Sequence, residues 1–159
     1  MKVIYTDEQR NEQLERELGA KKVPLSELLK ESDFVSIHVP LMKETHHLIG
    51  EKELKMMKKT AIIINTARGP IIDEEALVKA LKEHWIFGAG LDVYEKEPEI
   101  SRELKSLDNI VLQPHTGSGT IETRTKMALM AAENLIEGLK GNIPPNCINK
   151  EVFLKKTTE

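Results

Sequence analysis

The chain has 159 residues, which is enough for one domain with a hydrophobic core but not for two full domains. Its net charge of −3, with charges of both signs interspersed, argues against nucleic acid or a membrane surface as a partner. Cys147 is the single cysteine, so one chain can build neither a disulfide framework nor a cysteine-based zinc site. No apolar segment approaches the ~20 residues of a membrane span. We therefore expect a soluble protein of the reducing cytoplasm.

Strand-like and helix-like patterns alternate along the chain, which predicts an α/β fold with a parallel sheet and helices on its faces. Strands are predicted at residues 2–6, 34–39, 61–64, 86–91 and 110–112, with at most a short strand at Val23. Helices are predicted at residues 8–18, 27–31, 51–57, 74–83 and from about 120 to just before 141. Gly19 would end the first helix, whereas Ser26 and Asp73 would cap the second and the fourth. Residues 92–108 are predicted as a loop, and the polar tail from residue 150 as loosely ordered.

An arginine follows the third of the main predicted strands. The sequence Asn-Thr-Ala-Arg-Gly-Pro occupies residues 65–70, directly after the apolar residues 61–64, and it contains Arg68. Because ligands bind at the carboxyl ends of parallel strands, a guanidinium at this position is available to bind a carboxylate or phosphate. Taken alone, Arg68 could equally well close a strand-to-helix turn.

Two further segments deliver titratable groups at strand ends. Residues 88–98 read Gly-Ala-Gly-Leu-Asp-Val-Tyr-Glu-Lys-Glu-Pro and contain Glu97, and residues 113–118 read Gln-Pro-His-Thr-Gly-Ser and contain His115. Three neighbouring strands would bring Arg68, Glu97 and His115 to one rim of the sheet. Such a set can provide a carboxylate anchor, an orienting carboxylate and a general acid/base.

The three segments resemble, in order and spacing, the signature blocks of the NAD-dependent D-2-hydroxyacid dehydrogenases. The resemblance implies a Rossmann-like doubly wound sheet, NAD as cofactor, and a homodimer that acts on a small 2-oxo or 2-hydroxy acid. Glyoxylate and hydroxypyruvate reductases and phosphoglycerate dehydrogenases are the members that the chain most resembles. Glu97 disfavours a formate substrate, because the formate dehydrogenases of this family have glutamine at the matching position.

The resemblance also implies a mechanism. Arg68 would pair with the carboxylate of a 2-oxo acid and polarise its carbonyl group. His115 would donate a proton as hydride arrives at the carbonyl carbon, and Glu97 would orient the imidazole and stabilise its charged form.

The resemblance implies cofactor contacts along most of the chain. Asp7, at the end of the first predicted strand, would bind the adenosine ribose hydroxyls and repel the additional phosphate of NADP. It could instead be only the N-cap of the helix that follows. Further contacts are implied for Val39, Pro40, Thr45, Thr66, Ala67, Arg68, Asp92, His115, Gly117 and Ser118, with Thr66 and Ala67 beside the nicotinamide ribose and Asp92 facing the nicotinamide amide. No metal site is expected, and His46 and His47 are interpreted as ordinary loop residues.

The glycine-rich turn G-x-G-x-x-G, which should precede Asp7 by about 20 residues, is not found in the sequence. We therefore expect residues 1–140 to form a partial NAD-binding domain that lacks the first strand, the glycine-rich loop and the first helix. Residues 141–159 would be a tail that returns to an absent substrate domain. Without the first strand, the predicted strands at 2–6 and 34–39 would expose apolar edges.

Two other interpretations stay open at this point. A catalytically silent NAD-binding or interaction module, as in the transcriptional co-repressor branch of the same fold family, is favoured by the missing glycine-rich turn. The set of Arg68, Glu97 and His115 argues against it, since a pure binding module needs no proton donor, but those co-repressors retain this set. A remnant with neither activity is the third possibility.

Overall fold

The computed structural model describes residues 1–154 of the chain, and the last five residues of the predicted tail lie outside this range. The chain divides into two compact units, Met1–Gly117 and Ser118–Glu159. Among residues 1–154, no helix combines the length and the apolar character needed to cross a membrane.

Two parallel sheets form the first unit. In the smaller sheet, β1 (Ile4–Tyr5) pairs with β2 (Lys21–Lys22). In the larger sheet, four parallel strands follow the order of the sequence. They are β3 (Phe34–Ile37), β4 (Ile62–Asn65), β5 (Gly88–Leu91) and β6 (Ile110–Leu112). The predicted parallel sheet is confirmed, with β3 at its edge as expected, whereas β1 has a partner that the sequence barely indicated.

Five α-helices and one 3-10 helix connect these strands. The helices are α1 (Glu12–Leu18), α2 (Leu25–Glu31), α3 (Glu51–Met56), α4 (Glu74–Lys82) and α5 (Arg102–Lys105), and the 3-10 helix covers Gly69–Ile71. Gly19 ends α1 in the left-handed conformation, and the Asp73 side chain accepts a hydrogen bond from the Ala76 N–H at the start of α4. Both predicted helix signals are therefore confirmed.

Two predicted helix starts are wrong. The first helix begins at Glu12 rather than at residue 8, because the Asn11 side chain accepts a hydrogen bond from Leu14 N–H and acts as the N-cap. The second begins at Leu25, after Pro24, and makes no side-chain cap, so Ser26 is not its N-cap. The helix α5 was also not predicted, since it lies inside the expected loop 92–108.

The hydrophobic core lies on one face of the larger sheet. Side chains alternate along β3, where Val35 and Ile37 are buried and Phe34 is exposed. Apolar side chains of α2, α3, α4 and α5 complete this core, among them Leu29, Leu54, Leu77, Leu81 and Leu104. On the opposite face, Phe34 and Val111 remain 65% and 62% exposed.

The second unit begins before α6 (Ile121–Leu139), a 19-residue helix, and includes α7 (Glu151–Leu154). The Thr120 side chain accepts a hydrogen bond from Thr123 N–H and caps α6 close to its predicted start. No residue of α6 is buried. Asn134, within α6, exchanges hydrogen bonds with Asn146, and these bonds fold the segment after the helix back onto it.

Gly69 is required where the turn after β4 meets the loop after β5. A Cβ atom on Gly69 would overlap the backbone carbonyl group of Tyr94. We expect Gly69→Ala to lower the free energy of unfolding by about 2 kcal/mol or more, because backbone must move to make room. Gly90→Ala is the matched control, since its Cβ would meet only Ile64 Cγ1 at 3.9 Å. Urea denaturation of both variants tests this, and equal stabilities would contradict it.

Candidate active site

Asn65 shapes the turn that carries Arg68. Its side chain is buried at the end of β4, where Nδ2 donates to the Arg68 carbonyl (2.9 Å) and Oδ1 accepts from Ala67 N–H (3.0 Å). These two bonds fix the three residues between strand and 3-10 helix. The Arg68 side chain is exposed and donates one N–H to the Ala67 carbonyl (2.6 Å). A guanidinium presented in this way has further donors available for an anion.

The structure brings His115 and Glu97 into direct contact. His115 Nδ1 lies 2.7 Å from Glu97 Oε2, and Glu97 Oε1 accepts a hydrogen bond from Tyr94 N–H at 3.0 Å. The His115 hydrogen bond, with smaller contributions that include the charge of Arg68, holds the pKa of Glu97 below its ordinary value. An ionised carboxylate only accepts, so Nδ1 carries the hydrogen and Nε2 is left to exchange a proton with a ligand.

Asp92 holds the loop on which His115 lies. It is a buried carboxylate directly after β5, and its two oxygens accept hydrogen bonds from Thr116 N–H (2.7 Å) and Gly117 N–H (2.8 Å). His115 itself adopts the left-handed conformation with φ 54°, which a residue other than glycine rarely takes without support. The sequence pattern gave no sign of this role, and the expected contact of Asp92 with the nicotinamide amide stays a prediction.

Asp7 lies at the predicted place, after β1, and its side chain is exposed. Its Oδ1 accepts a hydrogen bond from Gln9 N–H (3.1 Å) within a tight turn. The N-cap of α1 is Asn11, so the interpretation of Asp7 as a helix cap is wrong. Asp7 therefore has a local role in this turn, and its expected contact with the adenosine ribose stays a prediction.

The remaining predicted cofactor contacts lie on loops that follow β3, β4 and β6. Thr45 closes its own loop, because its hydroxyl donates to the Pro40 carbonyl (2.6 Å) and accepts from Met42 N–H (2.7 Å). Val39 is half-buried and Pro40 is exposed. Thr66 and Ala67 belong to the turn of Arg68, Gly117 belongs to the loop held by Asp92, and Ser118 begins the second unit. Their contacts with a cofactor stay predictions.

The arrangement can bind an anion and transfer a proton. The exposed Arg68 guanidinium lies on the loop after β4. The His115 imidazole lies on the loop after β6, and its Nδ1 contacts the Glu97 carboxylate. Within residues 1–154, no group of three or more histidine, cysteine, aspartate or glutamate side chains is suited to hold a metal ion.

Comparison with protein families gives a match over most of the chain. The family described as D-isomer specific 2-hydroxyacid dehydrogenase, NAD binding domain, matches residues 1–117. This range coincides with the first compact unit, Met1–Gly117. It contains Arg68, Glu97 and His115.

Individual proteins are similar to the chain over almost all of its length. The glyoxylate reductase of Thermococcus litoralis is 59% identical over 153 residues, which are 96% of this chain and 46% of that protein. A crystal structure of a Thermus thermophilus protein superposes with a TM-score of 0.85 at 46% identity, over 93% of this chain and 46% of that one. The NAD-complexed D-isomer specific 2-hydroxyacid dehydrogenase of Lactobacillus delbrueckii ssp. bulgaricus gives a TM-score of 0.81 at 34% identity, over 93% and 49%. The chain spans about half the length of these relatives.

Asp92→Asn should loosen the loop of His115. An amide has one acceptor oxygen and would turn an NH₂ group toward one of the two backbone N–H groups. Because hydrogen bonds to a charged acceptor contribute about 1.5–3 kcal/mol, we expect amide exchange at Thr116 and Gly117 to accelerate at least about tenfold. Asp108→Asn, at an exposed aspartate, is the control. Hydrogen exchange followed by NMR measures the effect, and unchanged protection of both amides would rule it out.

The Glu97 carboxylate should stabilise the fold in a pH-dependent way. Its pKa is lowered from the ordinary 4.5, so the stabilisation is present above pH 4.5 and is lost as the pH falls through the lower pKa of the folded state. We expect the unfolding free energy of the native chain to exceed that of Glu97→Gln near about pH 6, and the excess to shrink in more acid solution. Urea denaturation across this range, with exposed Glu99→Gln as control, is the measurement. An excess that does not change with pH would show that the ionisation of Glu97 is not its source.

Proposed function

The chain belongs to the family of the D-isomer specific 2-hydroxyacid dehydrogenases, through their NAD-binding domain, and we propose that it provides the NAD-binding and proton-transferring half of a 2-oxo acid reductase. Small 2-oxo acids such as glyoxylate and hydroxypyruvate are the proposed substrates. The contact between His115 Nδ1 and Glu97 Oε2 at 2.7 Å carries this proposal, because a binding module has no need of an oriented proton donor.

In the proposed mechanism, the Arg68 guanidinium binds the substrate carboxylate with paired N–H donors and polarises the adjacent carbonyl. Glu97 holds the His115 imidazole so that Nε2 faces the carbonyl oxygen and delivers the proton to it. Bound NADH would supply the hydride to the carbonyl carbon. The products are a 2-hydroxy acid and NAD.

The residues present fit NAD in part. The exposed Asp7 carboxylate, at the end of a parallel strand, suits the ribose hydroxyls and disfavours a 2′-phosphate. The 159 residues contain no G-x-G-x-x-G turn, which normally provides backbone N–H groups for the pyrophosphate. We therefore expect the chain alone to bind NAD weakly and to show no appreciable dehydrogenase activity.

Further parts of the proposal concern domains and assembly. We propose that residues 1–140 form the NAD-binding part with its catalytic loops and that residues 141–159 lead toward a substrate domain. A homodimer is proposed because Phe34 and Val111 expose apolar surface on the larger sheet. The single Cys147 supports a reducing compartment such as the cytoplasm.

The proposal is tested in a full-length chimaera. In it, this chain replaces the 46% of the Thermococcus litoralis glyoxylate reductase that it matches. Glyoxylate-dependent oxidation of NADH by the chimaera is expected, and the chain alone is assayed in parallel. A chimaera that binds NAD but shows no turnover with glyoxylate or hydroxypyruvate would favour the silent binding module.

His115→Ala should lower the kcat of the chimaera by about 100-fold or more, which is the usual scale of a general acid/base contribution. His84→Ala is the matched control, since His84 also adopts a left-handed conformation, with φ 53°, and lies at the end of α4. The two variants thus make the same substitution in the same backbone conformation. Steady-state NADH oxidation separates them, and an unchanged kcat would remove His115 from the mechanism.

Asp7→Ala should narrow the preference of the chimaera for NADH over NADPH by relieving repulsion of the 2′-phosphate. Glu8→Ala, at the next exposed carboxylate, is the control. The ratio of kcat/KM for the two cofactors is measured in each variant. If the unmodified chimaera already prefers NADPH, the assignment of Asp7 is wrong.

A further inference from the structure

A second histidine–carboxylate pair joins the loops around the proposed catalytic residues. His47 Nε2 lies 2.7 Å from Glu95 Oε1, and the two side chains are 39% and 22% exposed. The residues are 48 positions apart in the sequence, so the contact connects the loop after β3 with the loop after β5. Neither side chain belongs to the proposed proton-transfer pair.

His47 is also attached to the turn of Arg68. Its backbone N–H donates to the Pro70 carbonyl at 2.8 Å, and Ile49 N–H donates to the Ile71 carbonyl at 3.1 Å. His47 adopts the left-handed conformation with φ 51°, which is uncommon for residues other than glycine. Structures retain such a conformation where surrounding contacts hold it.

Glu95 is attached to the start of α4. Its Oε1 accepts a second hydrogen bond, from Glu74 N–H at 3.1 Å, and its own N–H donates to Glu74 Oε2 at 3.2 Å. Glu97 lies two residues further along, with its Oε1 bonded to the neighbouring Tyr94 N–H. Glu95 therefore lies inside the turn from Tyr94 to Glu97 that orients His115.

The turn of Arg68 lies between these two attachments. On one side the loop of His47 binds the Pro70 and Ile71 carbonyls, and on the other Gly69 approaches the backbone of Tyr94 and Glu95. The His47–Glu95 contact therefore closes a ring in which the loops after β3, β4 and β5 each contact the other two. Asp73, whose Oδ2 is 4.0 Å from His47 Nδ1, adds a second carboxylate on the other side of the imidazole.

We propose that His47 and Glu95 form a positioning pair that fixes the Arg68 turn relative to the Glu97–His115 pair. The inference rests on the proposed function, because it assigns Arg68 to the substrate carboxylate and His115 to the proton. The two groups act on neighbouring atoms of one small substrate, so their separation must be held closely. Misplacements of about 1 Å can lower a rate by about 100-fold.

The variants are chosen to separate the side-chain contact from the backbone conformation. His47→Leu removes the hydrogen bond, whereas His47→Gln keeps a donor that can reach Glu95. Both carry the same left-handed backbone, and His84→Leu measures the cost of leucine in that conformation at an unrelated site. Glu95→Met removes the acceptor and leaves the His47 backbone untouched, so it serves if His47→Leu does not fold.

The first measurement needs no activity. In the 159-residue chain, NMR resonances of the His115 imidazole and the Arg68 side chain are expected to shift in His47→Leu and in Glu95→Met. They should return toward their native positions in His47→Gln and stay unchanged in His84→Leu. Resonances unmoved in both His47→Leu and Glu95→Met would overturn the proposal, whatever the chimaera does.

The second measurement uses the chimaera. His47→Leu and Glu95→Met should each lower kcat/KM for glyoxylate by about tenfold or more, through a higher KM as well as a lower kcat. His47→Gln should retain most of the kcat/KM of the unmodified chimaera. If the pair has a purely structural role, the variants will have a lower melting temperature but unchanged kcat and KM at temperatures well below it. That result would also overturn the proposal. If the unmodified chimaera is inactive, the proposed function fails, and the NMR measurement alone decides the positioning pair.

Discussion

Parallel pairing in register brings the ends of β4, β5 and β6 to one rim of the sheet, and the candidate site depends on this constraint. Asn65 pairs with Leu91, and Leu91 pairs with Leu112. The three loops therefore start side by side, although Arg68, Glu97 and His115 are spread over about a third of the chain. Hydrogen bonds between the strands fix this alignment, and it does not depend on contacts between the side chains of the site.

The two buried polar side chains of the described residues, Asn65 and Asp92, both lie at this rim. Asn65 ends β4 and binds backbone groups of the loop that follows it, whereas Asp92 follows β5 and binds backbone N–H groups of the loop after β6. Burial of a polar group is unfavourable unless its hydrogen bonds are made, and no buried side-chain nitrogen or oxygen in residues 1–154 lacks a partner. The fold thus places buried polar groups where they support the loops that carry the exposed side chains of the candidate site.

Features that depend on local chemistry could be predicted from the sequence. The strand β6 follows from a run of three apolar residues, and the stop at Gly19 and the cap at Asp73 follow from the capping preferences of glycine and aspartate. The errors concern helix starts at which neighbouring residues could serve as the N-cap. The first helix uses Asn11 and the second uses Pro24, although other residues nearby are also suited to this position. Contacts between distant residues, such as Asp92 with Thr116 or His47 with Glu95, leave no mark in local periodicity. They become visible only when the loops are placed in space.

Charge at the rim explains why a carboxylate suits position 97 better than an amide. The His115 hydrogen bond lowers the pKa of Glu97, so Glu97 is ionised at neutral pH. An ionised carboxylate can only accept hydrogen bonds, so it accepts the hydrogen on His115 Nδ1. A glutamine could accept through oxygen in the same place, but it would carry no negative charge to stabilise a protonated imidazole. The positive charge of Arg68 contributes to keeping Glu97 ionised. A substrate carboxylate bound to Arg68 would reduce this effect on Glu97 and add a second negative charge near the imidazole. In the proposed function, the group that binds the substrate would thereby change the charge around the His115 imidazole.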